Sequence, residues 1–374
     1  MKVLVTGSKG FIGRNLVVHL GERNDVDLLH FTHDDSISSL VQLVSEADFV
    51  FHLAGINRPD NTDDFQTGNA DLTSALCDAV VSSGNKIPII YISSSHAGLD
   101  NPYGISKRAA EETLLNLTAI HGSEVYLFRL PNVFGKWARP NYNSVVATFC
   151  NNITKDLPIT IDEKSAQIRL VYIDDVISHF IALMDGQVKN NETHFYTVEP
   201  EYMITIGNLA DQLYAFRNSR NSLITEAVGN GLTRALHSTY LSYLRPKMFS
   251  YKIPEYRDSR GMFAEILKTH DSGQISFFTA HPGITRGGHY HHSKTEKFLV
   301  IKGMACFRFS HIDTGEFYEL HTSCVKLEIV ETIPGWSHDI TNTGNEDIIV
   351  MLWANEIFNC DQPDTFTSTI ENNN

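Results

Sequence analysis

The chain has 374 residues, more than one hydrophobic core usually supports, so the sequence predicts two domains. Hydrophobic residues make up 42% without a run long enough to cross a bilayer, and the formal net charge is -14, which argues against a membrane anchor and against general nucleic-acid binding. The five cysteines form no CxxC pair, and the start MKVLVTGS lacks the apolar helix of a secretory signal. We therefore expect a cytoplasmic protein whose cysteines are reduced and serve packing.

Short apolar runs alternate with helix-length segments in the first part of the chain. The runs are MKVLVTG, DLLHF, FVFHLAG, PIIYISSS and EVYLFRL, and the helical segments between them include Gly10 to Arg23 and Tyr103 to His121. This alternation is typical of a parallel sheet with helices on both faces. The sequence thus predicts an α/β Rossmann-like domain, a doubly wound parallel sheet, over residues 1–245.

The segment TGSKGFIG follows the first predicted strand and opens the first helix. Glycines in this position let a pyrophosphate approach backbone N–H groups at the helix N-terminus, which predicts a dinucleotide site. The second strand ends Phe31-Thr32-His33 without the acidic residue that binds a ribose 2′-hydroxyl, whereas Arg14 can pair with a 2′-phosphate. NADPH is therefore favoured over NADH, and the predicted cofactor residues of this segment are Gly7, Gly10, Phe11, Ile12, Gly13 and Arg14.

Tyr103 and Lys107 stand four apart at a predicted helix start, in NPYGISK, so their side chains share a face. A phenol with an ordinary pKa of about 10 needs a nearby cation to act in proton transfer near neutral pH, and Lys107 supplies one. Ser94 or its neighbour Ser95, at the end of the preceding strand, can hydrogen-bond a carbonyl oxygen on which charge develops. We predict Ser94, Tyr103 and Lys107 as the catalytic set.

Together these motifs resemble the extended short-chain dehydrogenase/reductase family, whose members act on nucleotide sugars. The resemblance covers roughly Met1 to Tyr240 and includes HLAG, RLPNVFG and RLVYIDDV. It implies that Leu53, Ala54 and Gly55, with Tyr103 and Lys107, contact the cofactor. It also implies that Asn132 lies near the substrate and that Arg169 contacts the nucleotide diphosphate. The segment between the serines and Tyr103 is shorter than is typical of the family.

After about Lys247 the strand-like runs ISFFTA, KFLVIKG, ACFRFS, KLEIV and IIVMLW recur without a long amphipathic segment. This pattern predicts an all-β domain over residues 246–374, ending in a frayed polar tail.

Within this second part, GITRGGHYHHSKTEKFLVIKG and PGWSHDITN contain the spaced residues His289, His291, Glu296 and His338. Two histidines on alternate strand positions face the same side, and later strands can add a glutamate and a third histidine. Imidazoles and a carboxylate suit Zn²⁺ or another divalent metal. Spacing does not decide between His291 and His292, although strand alternation favours His291. The spacings resemble the two motifs of the cupin family, which implies a jelly-roll fold.

The two halves together resemble bifunctional enzymes of capsular polysaccharide synthesis, also through HSTYLSYL, RPNYNSVVATFC and CDQPDTF. This resemblance implies a UDP-linked 4-keto-6-deoxy amino sugar, a UDP-N-acetylhexosamine derivative. The cupin domain would epimerise it at C3, and NADPH would then reduce it at C4. The implied product is UDP-2-acetamido-2,6-dideoxy-L-talose, on the route to UDP-N-acetyl-L-fucosamine. Epimerisation must come first, because the C4 ketone is what makes the C3 proton acidic.

Two alternatives remain open on the sequence. A nucleotide-sugar 4-epimerase would use the same serine, tyrosine and lysine but retain NAD through the reaction. The cupin could instead be a structural or dimerising module, since the sequence shows no general base beyond the candidate neighbours Arg286, His292, Lys294 and Trp336. Pairing of cupin sheets makes a homodimer the expected oligomer.

Overall fold

The computed structural model describes residues 1–188, 193–368 and 370. The chain divides into two compact units: Met1–Leu213 with Arg234–Leu244, and Tyr214–Thr233 with Arg245–Asn374. The sequence predicts the boundary after residue 245, which would place Tyr214–Thr233 in the first domain, whereas in the structure this segment belongs to the second unit. This segment groups with the second unit through backbone hydrogen bonds of Leu223 and Thr225 with Lys268, each 2.8 Å long. Of the tail IENNN, predicted to fray, residues 371–374 lie outside the described residues, whereas Ile370 is buried, so the prediction is wrong for that residue.

The predicted alternation of strands and helices is confirmed in the first unit. Its strands are β1 (Lys2–Thr6), β2 (Asp27–Phe31), β3 (Phe49–His52), β4 (Ile89–Ser94), β5 (Val125–Leu130), β6 (Asn132–Phe134), β7 (Gln167–Tyr172), β8 (Phe195–Tyr196) and β9 (Glu201–Thr205). Its helices are α1 (Phe11–Gly21), α2 (Ser39–Glu46), α3 (Leu72–Ser83), α4 (Pro102–His121), α5 (Val145–Thr154) and α6 (Ile173–Met184). Two further helices follow, α7 (Ile206–Ser222) and α8 (Gly231–Ser242).

The main sheet of the first unit has the strand order β2-β1-β3-β4-β5-β8, and all its pairs are parallel. A smaller sheet has the order β6-β7-β9. The strands are rich in Val, Ile and Phe because both faces of the main sheet are covered, as the fully buried Val3, Leu4 and Val5 of β1 show. Parallel pairing places the carboxyl ends of β1 to β5 at one edge, where α/β proteins bind ligands.

The second unit consists mainly of antiparallel strands. They are β10 (Glu255–Asp258), β11 (Gly261–Thr269), β12 (Gly273–Ala280), β13 (Thr285–Tyr290), β14 (Glu296–Lys302), β15 (Met304–His311), β16 (Phe317–Ser323), β17 (Val330–Thr332), β18 (Trp336–Asn342), β19 (Ile348–Ala354) and β20 (Phe366–Thr367). One sheet has the order β10-β11-β12-β19-β14-β17 and the other β16-β15-β18-β13-β20. The all-β prediction is thus confirmed for the described part after Arg245.

The core of this unit joins side chains from both sheets, such as Phe278, Phe298 and Val350 of one and Phe307 and Ile340 of the other. Period-two alternation places every second residue of each strand in this core. One strand prediction is wrong. Of the run KLEIV, residues 326–330, only Val330 lies in a strand, because β17 pairs with β14 over Val330–Thr332.

Three of the five cysteines are buried as predicted, namely Cys77, Cys150 and Cys306, and none of the five forms a disulfide. Cys360 is exposed, so the packing role predicted for it is wrong. Among the described residues, no helix has both the length and the apolar character needed to cross a membrane.

Candidate functional site

The glycine-rich turn between β1 and α1 lies against the loop that follows β3. Gly7 has a φ of +68°, and a side chain there would meet the backbone of Ala54 at 2.7 Å. A side chain at Gly13 would meet the Gly7 carbonyl oxygen at 2.2 Å. Both positions therefore require glycine, and the N-terminal N–H groups of α1 stay accessible for an anion.

This turn forms one wall of a cleft of about 1510 Å³ within the first unit. The cleft contains all the predicted cofactor residues and the predicted catalytic set. They are Gly7, Gly10, Phe11, Ile12, Gly13, Arg14, Leu53, Ala54, Gly55, Ser94, Tyr103 and Lys107. Its position at the carboxyl edge of the parallel sheet and its size suit a dinucleotide with a second ligand.

Tyr103 and Lys107 are oriented by the start of α4. Asn101 caps this helix, accepting a hydrogen bond from the Gly104 N–H at 2.8 Å, and Pro102 occupies the first turn. The Tyr103 ring packs between the rings of Phe65 and His96, with centroids 5.6 and 6.2 Å away. The first turn of the helix thus fixes where the Tyr103 phenol enters the cleft.

Burial shifts the pKa values of Tyr103 and Lys107 in opposite directions. Burial raises the pKa of Tyr103, and a hydrogen bond with Ser94 partly offsets that shift. Burial lowers the pKa of Lys107 to about 8, against the opposing charge of Glu111. At neutral pH the phenol therefore carries its proton and the amine its charge. Ser94 is the serine that contacts Tyr103, whereas Ser95 is exposed in the following turn.

A chain of buried hydrogen bonds holds Lys107 from behind. Its ammonium donates to the Ile92 carbonyl at 3.0 Å and to the Tyr91 hydroxyl at 3.3 Å. Beyond Tyr91, the His52 ring lies between the hydroxyls of Thr73 and Thr6, at 2.9 and 2.8 Å. Burial lowers the pKa of His52 to about 3, so this ring is neutral, and its contact with Thr6 reaches the last residue of β1, directly before Gly7.

The two predicted substrate residues occupy different positions. Asn132 lines the cleft, and its amide donates to the Arg169 carbonyl at 3.2 Å. The Arg169 guanidinium points elsewhere, since it donates to both carboxylate oxygens of Glu201, at 2.5 and 2.8 Å, and it does not line the cleft described here.

Arg14 also makes a contact that the sequence does not predict. Its guanidinium donates to the Trp137 carbonyl at 2.7 Å. Lys9, within the glycine-rich turn, faces the loop that follows β2, where its ammonium is 2.5 Å from Asp34. A ribose 2′-substituent lies at the end of the second strand in this fold, and the basic residues Lys9 and His33 both line the cleft.

Sequence reasoning missed a further lining segment, 137–144. It contains two non-glycine residues with positive φ, Trp137 at 69° and Asn141 at 55°. Arg139 and Tyr142 of this segment line the cleft, with the guanidinium 5.2 Å from the ring centre. The motif RPNYNS was visible in the sequence, but it carried no contact information before folding.

In the second unit, the four predicted metal ligands form a cluster: His289, Glu296 and His338 lie on three strands, and His291 directly follows β13. One ligand atom from each of His289, His291, Glu296 and His338 lies within 4.8 Å of the others. Strands β13 and β18 place His289 opposite His338, with ring centres 4.7 Å apart. Nε2 of His291 and Nε2 of His338 are 3.3 and 3.4 Å from Oε2 of Glu296. We call this set the first metal cluster.

The charges and unsatisfied atoms of this cluster fit a divalent cation. Both ring nitrogens of His338 are buried without a hydrogen-bond partner among the described residues, which is costly unless a ligand satisfies one of them. Burial lowers the pKa of His289 to about 4, so this ring is neutral. Burial alone would raise the pKa of Glu296, but His291, His338 and Lys294 lower it well below its usual range. Neutral imidazoles beside a carboxylate suit Zn²⁺.

Asp364, which was not predicted from the sequence as a site residue, fixes the loop that carries His291. Its carboxylate accepts hydrogen bonds from the backbone N–H groups of His292, Ser293 and Lys294 at 2.8, 2.7 and 2.8 Å, and from the Ser293 hydroxyl at 2.9 Å. Nδ1 of His291 donates to the Asp364 carbonyl. That contact fixes the ring so that Nε2 of His291 is directed at Glu296, the orientation that a metal ligand requires.

Of the four predicted neighbours of the metal, Lys294 contacts the first metal cluster. It is 8% exposed, and its ammonium is 3.0 Å from Oε1 of Glu296. The other three make different contacts. His292 packs against the Phe366 ring, Arg286 donates to the Thr279 carbonyl, and Trp336 packs against His311.

Comparison with known proteins identifies the class of each unit. Residues 3–198 match the NAD dependent epimerase/dehydratase family, and residues 256–366 match the polysaccharide biosynthesis C-terminal domain. The chain therefore belongs to the NAD dependent epimerase/dehydratase family, with a Rossmann-like domain followed by a β-rich domain.

Full-length relatives narrow this class. The chain is 60% identical over 370 residues, 99% of both proteins, to UDP-2-acetamido-2,6-beta-L-arabino-hexul-4-ose reductase of Pseudomonas aeruginosa. The capsular polysaccharide assembling protein CapF of Staphylococcus aureus matches with a TM-score of 0.92 and 38% identity over 99% of this chain and 100% of that one. The resemblance to capsular polysaccharide enzymes is thus confirmed over both domains. UDP-glucuronic acid 4-epimerase of Bacillus cereus, at 18% identity and a TM-score of 0.55 over 67% of this chain and 100% of that one, shares the fold.

Proposed function

We propose that this chain uses NADPH to reduce the C4 ketone of a UDP-linked 4-keto-6-deoxy amino sugar. The observation that carries the proposal is the assembly of Ser94, Tyr103 and Lys107 in the same cleft as the glycine-rich turn. The 60% identity to a protein named as a UDP-sugar reductase supports the same substrate class. The proposed product is UDP-2-acetamido-2,6-dideoxy-L-talose, a precursor of UDP-N-acetyl-L-fucosamine.

The nicotinamide supplies the hydride to C4. The Tyr103 hydroxyl donates a proton to the C4 oxygen, and the Ser94 hydroxyl hydrogen-bonds to that oxygen as its charge develops. The Lys107 ammonium, held by Tyr91 and Ile92, stabilises the phenolate that remains on Tyr103. With a pKa of about 8, Lys107 is charged at neutral pH, which is the state that proton donation by Tyr103 requires.

NADPH is the proposed cofactor because Lys9 of the glycine-rich turn and His33, two residues after β2, line the cleft where an NAD-binding protein has an acidic residue directed at the ribose. Oδ2 of Asp35 accepts hydrogen bonds from the Thr32 N–H and hydroxyl, at 2.7 and 2.9 Å, so this oxygen is already engaged. Asp34 faces Lys9, and a phosphate would compete with it for that ammonium.

The second unit is proposed to be a metal-binding cupin that inverts C3 before reduction. Its support is the first metal cluster, with the unsatisfied buried nitrogens of His338. A Zn²⁺ ion bound there would supply Lewis-acid chemistry beside the C4 ketone. His289, His291, Glu296 and His338 would hold the ion, and the Asp364 carbonyl fixes the ring orientation of His291. The homodimer and the cytoplasmic location stay predictions.

The test of the reductase uses Tyr103→Phe with a UDP-linked 4-keto-6-deoxy amino sugar. The substitution removes the proton donor and keeps the ring between Phe65 and His96, so NADPH oxidation should fall by about 100-fold or more while NADPH binding is retained. NADPH absorbance measures the first quantity and fluorescence titration the second. Near-normal turnover would overturn the assignment, and conversion of substrate by wild type without NADPH consumption would favour a 4-epimerase.

A further inference from the structure

A second group of metal-ligating side chains lies on β15 and β16 of the second unit. Cys306 stands opposite His321 in the strand register, and Glu319 is two residues before His321 on the same face of β16. Nε2 of His321 is 2.9 Å from Oε1 of Glu319, and one ligand atom from each of the three residues lies within 4.8 Å of the others. We call these residues the second cluster.

The second cluster is on the opposite face of its sheet from the core. The neighbours of Cys306 along β15, Ala305 and Phe307, belong to the hydrophobic core, so alternation directs Cys306 away from it. Cys306 is buried, while Glu319 and His321 are exposed. A bound ion would thus sit on a rigid sheet with access from solvent.

Its geometry repeats that of the first metal cluster. In the first, His289 lies on β13 and His291 follows two residues later, directly after the strand ends at Tyr290, while His338 stands opposite His289 on the neighbouring strand. In the second, Glu319 and His321 are two apart on β16, and Cys306 stands opposite His321 on the neighbouring strand. Two ligands on alternate positions with a third across the ladder converge on one point in both cases.

The charges of the second cluster also suit a divalent ion. A thiolate and a carboxylate together balance two positive charges, and the imidazole is a neutral donor. The adjacent Arg308 binds both carboxylate oxygens of Asp339, at 2.9 and 2.5 Å, and also interacts electrostatically with Cys306 and Glu319. The Asp339 carboxylate offsets part of the positive charge that a bound cation would meet. Sulfur, nitrogen and oxygen ligands in one site select Zn²⁺ over Mg²⁺ or Ca²⁺.

We propose that Cys306, Glu319 and His321 bind a second divalent ion, Zn²⁺, separate from the first metal cluster and outside the proposed reaction. The three side chains leave a fourth tetrahedral position for water or an external ligand. Burial and the charge of Glu319 raise the pKa of Cys306 to about 11. Binding therefore replaces a thiol proton, which leaves to solvent.

Cobalt provides a test that separates the two clusters. The first metal cluster offers nitrogen and oxygen ligands, so absorption from thiolate-to-cobalt charge transfer reports on the second cluster. Full-length protein stripped of metal and titrated with Co²⁺ should show this absorption and bind two ions per chain. Cys306→Ser should lose the absorption and one ion. Cys324→Ser and Cys360→Ser, which alter the two thiols that are not buried, should keep both.

His321→Asn is a second variant, at an exposed residue. It should raise the Co²⁺ concentration needed for half-maximal absorption at least tenfold. His291→Ala should keep the absorption and lose the other ion. The proposal is overturned by an absence of thiolate absorption in the wild type, by its persistence in Cys306→Ser, or by its loss in Cys360→Ser.

Discussion

The proposed preference for NADPH depends on individual residues. Lys9 and Arg14 flank the same glycine-rich turn, yet their contacts differ, because Lys9 faces Asp34 at the end of β2 and Arg14 binds the Trp137 carbonyl. Sequence spacing makes Arg14 the phosphate ligand, since it follows the last glycine. Spacing could not show that α1 turns this side chain toward segment 137–144, a contact made more than a hundred residues away in the chain.

Lys9→Ala should therefore raise the KM for NADPH by about tenfold or more, because it removes a charge-assisted hydrogen bond to the 2′-phosphate. The KM for NADH should change little, since NADH has no 2′-phosphate. Arg14→Ala is the matched control, and it should affect both cofactors equally through the lost Trp137 contact. Steady-state kinetics with each cofactor make the comparison. If Arg14→Ala alone raised the KM for NADPH selectively, Arg14 and not Lys9 would be the phosphate ligand.

At the scale of elements, the regular strands and helices were predictable and the connections between distant ones were not. Strands β1 to β5 and helix α4 carry their own signals, namely apolar runs and an Asn-Pro helix start. The HYHH strand was likewise visible as a metal motif. Asp364 was not, because its carboxylate accepts hydrogen bonds from residues 292–294 although it lies about 70 residues further along the chain, in a segment whose strand β20 pairs with His289 and Tyr290 of β13.

Asp364→Asn should loosen the loop between β13 and β14 and weaken metal retention. An amide replaces the carboxylate that accepts three consecutive backbone N–H groups, which should cost about 2 kcal/mol of unfolding free energy in the second unit. Competition with a chelator and thermal unfolding, with and without Zn²⁺, measure the two effects. Asp361→Asn, the same change on an exposed residue of the same tail, should leave both unchanged.

The acid dependence of this contact provides an additional check. Burial would raise the pKa of Asp364, but hydrogen bonds from His292, Lys294 and Ser293 lower it below its usual range. A lowered folded-state pKa stabilises the fold above the ordinary aspartate pKa and ceases to do so as pH falls through the folded value. The stability difference between wild type and Asp364→Asn should therefore narrow in acid. A constant difference down to low pH would contradict the role of the carboxylate charge.

At the scale of the whole molecule, the chemistry divides along the chain. The glycine-rich turn, Tyr103 and Lys107 belong to the first unit, and the first metal cluster belongs to the second, each with its own hydrophobic core. Composition and strand pattern were enough to predict two domains, because each fold class has its own periodicity. The grouping of Tyr214–Thr233 with the second unit was not predictable, because it depends on backbone bonds to β11 that leave no side-chain pattern.

Two independent cores predict that the two reactions can be lost separately. His291→Ala removes one ligand of the first metal cluster, so it should lower metal content and abolish exchange of the C3 proton with solvent deuterium. Reduction at C4 should continue with NADPH, giving a product that is not inverted at C3. Tyr103→Phe should do the reverse, keeping C3 exchange while blocking reduction. Metal analysis and NMR of the products distinguish the two variants. Normal C3 exchange in a metal-depleted His291→Ala protein would mean that epimerisation does not depend on the cluster, and the second unit would then be a structural module.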